Sequence, residues 1–156
     1  MSEIERLRDL IASAKRIVAF TGAGISTESG IPDFRSPGGI WTKYQPIYFD
    51  DFMASEEMRR EAWRRKFATD ETMQKAEPNA GHRALAKLVE QGKMTSIITQ
   101  NVDGLHQRSG VPESKIIELH GNSTYASCLD CGQRYELAPI RTAMPTWSSM
   151  PRSGRR

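Results

Sequence analysis

Cysteine is nearly missing from this sequence: there are two in 156 residues, Cys128 and Cys131, in a single Cys-x-x-Cys. That rules out a disulfide-built scaffold and points to metal or redox chemistry instead. No apolar run approaches membrane-spanning length, and the opening Met-Ser-Glu-Ile-Glu-Arg lacks a basic segment leading into an apolar one. The expectation is a cytoplasmic protein with no secretory signal and no membrane partner. A charge excess of one sign is missing as well. The formal charge is +3, yet residues 143–156 hold Arg152, Arg155 and Arg156 and no acid, while residues 1–142 balance at 19 bases against 19 acids. A nucleic-acid-binding face needs bases clustered in the folded part. The one helical run of them, Arg59 to Lys66, reads as a solvated helix face, so no direct nucleic-acid partner is expected.

What is present fits one ordinary globular domain, with 38% hydrophobic and 26% charged residues. Ile4, Leu7, Leu10, Ile11 and Ala14 fall at helical spacing, so an amphipathic helix opens the chain. Ile17-Val18-Ala19-Phe20 is a short run of strand formers that ends in Thr-Gly-Ala-Gly, as a buried strand feeding a tight turn does. Residues 27–50, rich in glycine and proline, predict a long ordered loop of the kind that usually carries function. A charged helix is predicted over about 52–75, with Glu56 and Glu57 leading and bases following. Another runs from about Pro78 to Gln91, with Ala84, Leu85, Leu88 and Val89 on one face and Gly92 as its stop. Met94 to Thr99 and Lys115 to Leu119 are further strands, and Tyr125 to Tyr135 a hairpin holding the cysteines at its turn. Strands alternating with helices give an α/β fold with a doubly wound parallel sheet. The last fourteen residues show no periodicity and read as an irregular tail.

Several residues carry chemistry by type and place. Gly22-x-Gly24 follows the first strand, where glycines allow close backbone approach to a pyrophosphate; it also suits an ordinary turn, since the third glycine of the dinucleotide fingerprint is out of place. Asp33 after Pro32, and Asn101 and Asp103 ahead of Gly104, suit turn capping as well as ligand contact. His82 and His106 read as structural or exposed. His120 at a strand end is either a packing residue or a proton acceptor.

The stretch Gly22-Ala-Gly-Ile-Ser-Thr-Glu-Ser-Gly-Ile-Pro-Asp-Phe-Arg35 closely resembles the signature of the sirtuin family. Thr99-Gln-Asn-Val-Asp-Gly-Leu-His106 resembles that family's second motif and Leu119-His-Gly121 its third, in family order and each at the C-terminal end of a strand. The resemblance covers roughly residues 5–140. It implies a large Rossmann-like domain with a small zinc module, and an activity in which NAD and an acylated lysine of a protein or peptide give nicotinamide, free lysine and O-acyl-ADP-ribose. By resemblance, Gly22, Ala23, Gly24 and Thr27 lie against the phosphates and adjoining ribose. Asp33, Phe34 and Arg35 sit beside the nicotinamide ribose, which Gln100 and Asn101 position. Val102 and Asp103 hold the nicotinamide carboxamide, and His120 is the general base. The types suit those roles. A carboxylate accepts the carboxamide N–H, an aromatic ring keeps water from the reacting carbon, and histidine exchanges protons near neutral pH. ADP-ribosyl transfer by the same residues is not separated from deacylation by sequence.

Cys128-Leu-Asp-Cys131 looks like half of a four-cysteine zinc site. A second pair is expected near residues 147–152, and Trp147 to Arg152 contains none. An unmetallated or oxidised dithiol and a metal shared with another chain stay open. The expected organisation is therefore residues 1–122 as the NAD-binding part, 123–142 as a partial zinc-module hairpin and 143–156 as a basic, non-native continuation. On this reading the chain is a truncated first half with an unpaired sheet edge, exposed apolar faces, weak NAD binding and little activity. The alternative is an inactive remnant with a partner-binding role. Acidic-acyl sirtuins carry Tyr-x-x-Arg on the helix after the mobile loop. Ala62 to Phe67 lacks the tyrosine, which favours acetyl or other uncharged acyl groups.

Overall fold

Ser2 and Glu5 cap each other reciprocally: the Ser2 hydroxyl accepts the Glu5 amide, the Glu5 carboxylate accepts the Ser2 amide, and α1 (Glu3–Ser13) begins there. The computed structural model describes residues 2–33 and 45–147. After α1 come β1 (Ile17–Thr21), a 3-10 turn (Ala23–Ser29), α2 (Phe49–Ala54), α3 (Glu56–Lys75), α4 (Ala80–Glu90), β2 (Met94–Thr99), α5 (Leu105–Arg108) and β3 (Ile116–Glu118). Strands β1, β2 and β3 pair in that order, all parallel, with Thr21, Thr99 and Glu118 aligned in one row at their C-terminal ends.

The core lies on one face of this sheet. Ile97 is fully buried between Met94 and Val111, and Ile17, Ala19, Ile116 and the Leu85, Ala86, Leu88 and Val89 face of α4 pack around them. Alternation puts every second strand residue on that face, while α4 meets it with residues three and four apart. Ala86, not the expected Ala84, completes the α4 face; Ala84 lies one position off the helical stripe and is exposed.

Two other expectations need correction. The helix predicted over 52–75 is two helices, because Ser55 takes an extended conformation between them. Its hydroxyl accepts the Met58 amide and starts α3, and the Arg59 guanidinium donates to the Phe52 and Met53 carbonyls that end α2. The loop predicted over 27–50 is corrected at both ends, and its residues 34–44 lie outside the described residues. Residues 27–29 belong to the 3-10 turn, closed by Gly30 at φ 84°, and Phe49 and Asp50 already belong to α2. A backbone in that left-handed region strains any residue with a Cβ, which explains the glycine.

Residues 123–156 form a separate compact unit from residues 1–122. Within it, β4 (Tyr125–Ser127) and β5 (Arg134–Glu136) pair antiparallel and carry the cysteines in their connection, as the sequence suggests. The Cys128 amide donates to the Gln133 carbonyl and the Gly132 amide to the Cys128 carbonyl, with Gly132 at φ 73°. α6 (Leu137–Trp147) follows. The irregular tail expected from residue 143 is thus helical through 147. Leu137, Ala138, Ala143 and Met144 favour a helix, and Pro139 falls in its first turn, where a missing amide costs little. The rest of that expected tail lies outside the described residues.

Candidate active site

Three chain segments leave the C-terminal ends of the three parallel strands, and the candidate residues sit on them. Gly22 follows β1 directly. Its carbonyl accepts the Ile25 amide and the Asn101 side-chain amide at 3.0 Å. A Cβ placed on Gly22 or on Gly24 would meet nothing within 4 Å, so both glycines border open space. No side chain caps the start of the 3-10 turn. Thr27 is exposed, with its hydroxyl donating to the Gly24 carbonyl at 2.9 Å, and Ala23 is half-buried beside it. Asp33 is half-buried at the end of the segment. Phe34 and Arg35 lie outside the described residues.

Beyond β2, Gln100 is exposed and its amide donates to the Thr21 carbonyl at 3.0 Å, tying the two loops at their roots. Asn101 is buried. Its backbone amide donates to the Thr99 hydroxyl, and its side-chain amide reaches the Ser26 hydroxyl at 3.1 Å as well as the Gly22 carbonyl. The Ser26 hydroxyl donates in turn to one Asp103 carboxylate oxygen at 2.7 Å, and the other accepts the Leu105 amide at 2.9 Å. Between Asp103 and α5, Gly104 adopts φ 71°. Val102 is half-buried on the same loop. Both carboxylate oxygens of Asp103 thus accept from the protein, and each keeps a second lone pair for a ligand donor.

Beneath these loops lies a polar layer whose roles sequence reasoning missed. Asn79 caps α4 through its side-chain oxygen, which accepts the Gly81 and His82 amides, while its side-chain nitrogen donates to the Ile25 carbonyl at 2.6 Å and the Ser29 hydroxyl at 3.0 Å. One residue therefore fastens the 3-10 turn to α4. The only signal for it is an asparagine ahead of a helical pattern. His82 and His106, expected to be structural or exposed, are fully buried, with ring centroids 5.0 Å apart. The Asn79 amide donates to His82 Nδ1, which places the His82 proton on Nε2 and makes the ring neutral. His106 Nε2 pairs with the Thr21 hydroxyl at 2.9 Å. Burial lowers the pKa of both imidazoles, that of His106 to about 4, with His82 adding to the effect and Asp103 opposing it.

His120 stands two residues past β3 with its ring exposed, and its Nδ1 lies 3.0 Å from the Gln100 carbonyl. A carbonyl only accepts, so Nδ1 carries the proton. In the neutral ring Nε2 then presents a lone pair away from that bond. This tautomer suits a proton acceptor.

Cys128 and Cys131 are unpaired thiols, the first half-buried and the second exposed. Backbone amides of Cys131 and Asp130 donate toward the Cys128 sulfur and lower its pKa, with the Cys131 thiol adding to the effect. Among the described residues no three histidine, cysteine or acidic side chains converge as a metal would require, so the expected zinc module is not seen as a closed site. No helix among those residues is long and apolar enough to cross a membrane.

The model of the Sir2 family matches residues 22–151. NAD-dependent protein deacetylase 1 of Bradyrhizobium diazoefficiens is 63% identical over 136 residues, which is 87% of this chain and 54% of that protein. NAD-dependent protein deacetylase of Rhodopseudomonas palustris is 61% identical over 140 residues, 90% of this chain and 55% of that protein. The chain therefore spans about half the length of these curated relatives. Among solved structures, a Sir2 bound to a deacetylated p53 peptide and 3'-O-acetyl ADP-ribose superposes with a TM-score of 0.78 at 39% identity, over 93% of this chain and 58% of that one. A Sir2 homologue in complex with NAD gives 0.73 at 37% identity, over 86% and 52%.

Proposed function

We propose, from the premise that this chain belongs to the Sir2 family, that it carries the NAD-binding and proton-accepting part of an NAD-dependent protein lysine deacetylase. The observation that carries the reading is the buried chain Gly22 carbonyl–Asn101–Ser26–Asp103, which joins the glycine turn to the loop after β2, with the His120 lone pair at the adjoining strand end. The open space beside Gly22 and Gly24 suits a pyrophosphate, which needs close backbone approach. In this reading Gly22, Ala23, Gly24 and Thr27 hold the phosphates and adjoining ribose, and Asp33, Phe34, Arg35, Gln100 and Asn101 surround the nicotinamide ribose. Val102 and Asp103 hold the carboxamide. Bound NAD supplies the electrophilic ribose carbon and a good leaving group in nicotinamide. Asp103, fixed by Ser26 and Leu105, keeps a lone pair on each oxygen for the carboxamide N–H and so orients it. His120, held by Gln100, accepts a proton at Nε2. Solved relatives include Sir2 complexes with p53 peptides, which supports acyl-lysine in proteins or peptides as the substrate class.

Residues 1–122 serve as the NAD-binding part in this proposal and 123–142 as part of a zinc module, with Cys128 and Cys131 as thiolate ligands. Two thiolates are half of a tetrahedral set. These residues do not by themselves close a zinc site, and no step of the reaction runs through one.

Mass spectrometry of an acetyl-lysine peptide incubated with NAD and the purified chain tests the activity. Loss of the acetyl mass with matching nicotinamide release, abolished in His120→Ala, is the expected result. A gain of ADP-ribose on the acceptor would mean group transfer instead, and an unchanged peptide with no nicotinamide released would reject the reading.

A further inference from the structure

A carboxylate outside the nucleotide contacts fastens the turn that carries His120. Glu118 is the last residue of β3 and is aligned with Thr99 of β2. One oxygen of its carboxylate accepts two bonds, from the Gln107 side-chain amide at 2.7 Å and from the Asn122 side-chain amide at 2.6 Å. All three residues are half-buried. Gln107 belongs to α5, while Asn122 stands four positions past Glu118, with His120 midway between them. Gly121, at φ 76°, turns the chain back so that Asn122 can reach the carboxylate. The bond between Asn122 and Glu118 therefore brackets His120 on both sides.

The residue type suits this task. Gln107 and Asn122 both approach with amide N–H groups, and a carboxylate only accepts, so it takes both without a donor of its own to place. A glutamate placed there for solubility would project into water; this one is half-buried and bonded to two segments. Packing does little to orient the His120 ring, which is exposed. Its tautomer follows from the 3.0 Å bond between Nδ1 and the Gln100 carbonyl on the neighbouring loop. That bond needs the backbone at residue 120 held at a set place against residue 100. The Leu119 amide holds it from one side by donating to the Thr99 carbonyl at 2.9 Å, and the Glu118–Asn122 bracket holds it from the other. The same carboxylate reaches the neighbouring loop through α5. Asp103 accepts the Leu105 amide at the start of that helix, and Gln107 leaves it for Glu118.

We infer that Glu118 is a positioning residue for His120. By gripping Gln107 and Asn122 it holds the turn where Nδ1 meets the Gln100 carbonyl, and so keeps Nε2 as the bare, proton-accepting nitrogen. This deepens the deacetylase reading and rests on it for the use to which that nitrogen is put.

The test reads the tautomer directly, on the purified chain without NAD or peptide. Long-range proton–nitrogen NMR spectra at about pH 8, where an exposed imidazole is neutral, report which ring nitrogen carries the proton. The chain has three histidines, and the spectrum of His120→Gln assigns the resonances. The wild type should hold the His120 proton on Nδ1. Glu118→Ala and Asn122→Ala should each lower the ratio of the Nδ1–H to the Nε2–H form by about fivefold, the worth of one hydrogen bond, with circular dichroism unchanged. Glu118→Gln keeps an acceptor oxygen of the same reach and should restore most of the wild-type ratio. Gln107→Ala, with the same expected shift, replaces either alanine variant that loses the wild-type circular dichroism. The inference is overturned if either alanine variant keeps the wild-type ratio, if Glu118→Gln falls as far as Glu118→Ala, or if the wild type carries the proton on Nε2. The expected ratios together with an unchanged acetyl peptide would reject the deacetylase reading and leave the positioning role standing.

Discussion

Ser26, Asn101 and Asp103 are each buried, and the Ser26 hydroxyl links the other two, accepting from Asn101 and donating to Asp103. Removing the Asp103 carboxylate leaves the Ser26 hydroxyl and the Leu105 amide as buried donors without their acceptor. Asp103→Ala should therefore lower the unfolding free energy by about 2–4 kcal/mol, and Asp103→Asn by less because an amide oxygen retains one acceptor. Urea titrations that superpose on the wild type would show that this chain of bonds carries no weight. The buried histidine pair sets a pH dependence. Their folded pKa values lie below the usual 6.5, so the unfolded chain binds protons that the native one refuses. Their contribution is complete above about pH 6.5 and is lost as the pH falls toward 4, on the order of 3 kcal/mol for His106. Urea midpoints measured between about pH 7.5 and about pH 5 should fall steeply, and His106→Gln should flatten the slope relative to the wild type. An identical slope in the two proteins would contradict the assignment.

At the scale of elements, the site depends on how α4 begins. Asn79 both caps that helix and holds the Ile25 carbonyl of the 3-10 turn, and Gly81 lies so close that a Cβ there would stand 3.3 Å from the Ile25 side chain. Asn79→Ala should cost about 1–2 kcal/mol as a lost cap and also release the turn that borders Gly22 and Gly24. NAD affinity should fall by more than the stability loss alone explains. Calorimetric titration of NAD under conditions where both proteins are fully folded separates the two effects, and an unchanged affinity would mean the turn holds itself. The break at Ser55 makes a similar point about local signals. A serine after Ala54 and ahead of two glutamates is a helix start, and the continuous charge pattern on either side hides it.

For the molecule as a whole, the two faces of one sheet differ in what they contribute. Ile97 is fully buried, and Ile97→Ala should destabilise by about 2–5 kcal/mol. Val18→Ala on the opposite face should stay under about 1 kcal/mol, because water already reaches most of that side chain. Equal losses at the two positions, read from urea unfolding, would mean that the opposite face is covered in solution. Within the hairpin, backbone bonds at both its amide and its carbonyl hold Cys128 in the turn.

The sequence by itself determined the order of the strands and of the first helix and α4, the parallel α/β class, the three motifs and the family, since all of these rest on local spacing: strand runs that end in glycine, helical stripes, short motifs in a set order. It also named Gly22, Asn101, Asp103 and His120. Only the tertiary structure decided what those residues do for one another. Ser26 and Asp103 are 77 positions apart and Thr21 and His106 are 85, so no local pattern can pair them. Burial made His82 and His106 a neutral pair, which type and spacing left open. The structure also chose which face of β1 is core. Ile17 and Ala19 on one side and Val18 and Phe20 on the other are all apolar, and only the crossover through α4 decides which of them loses contact with water.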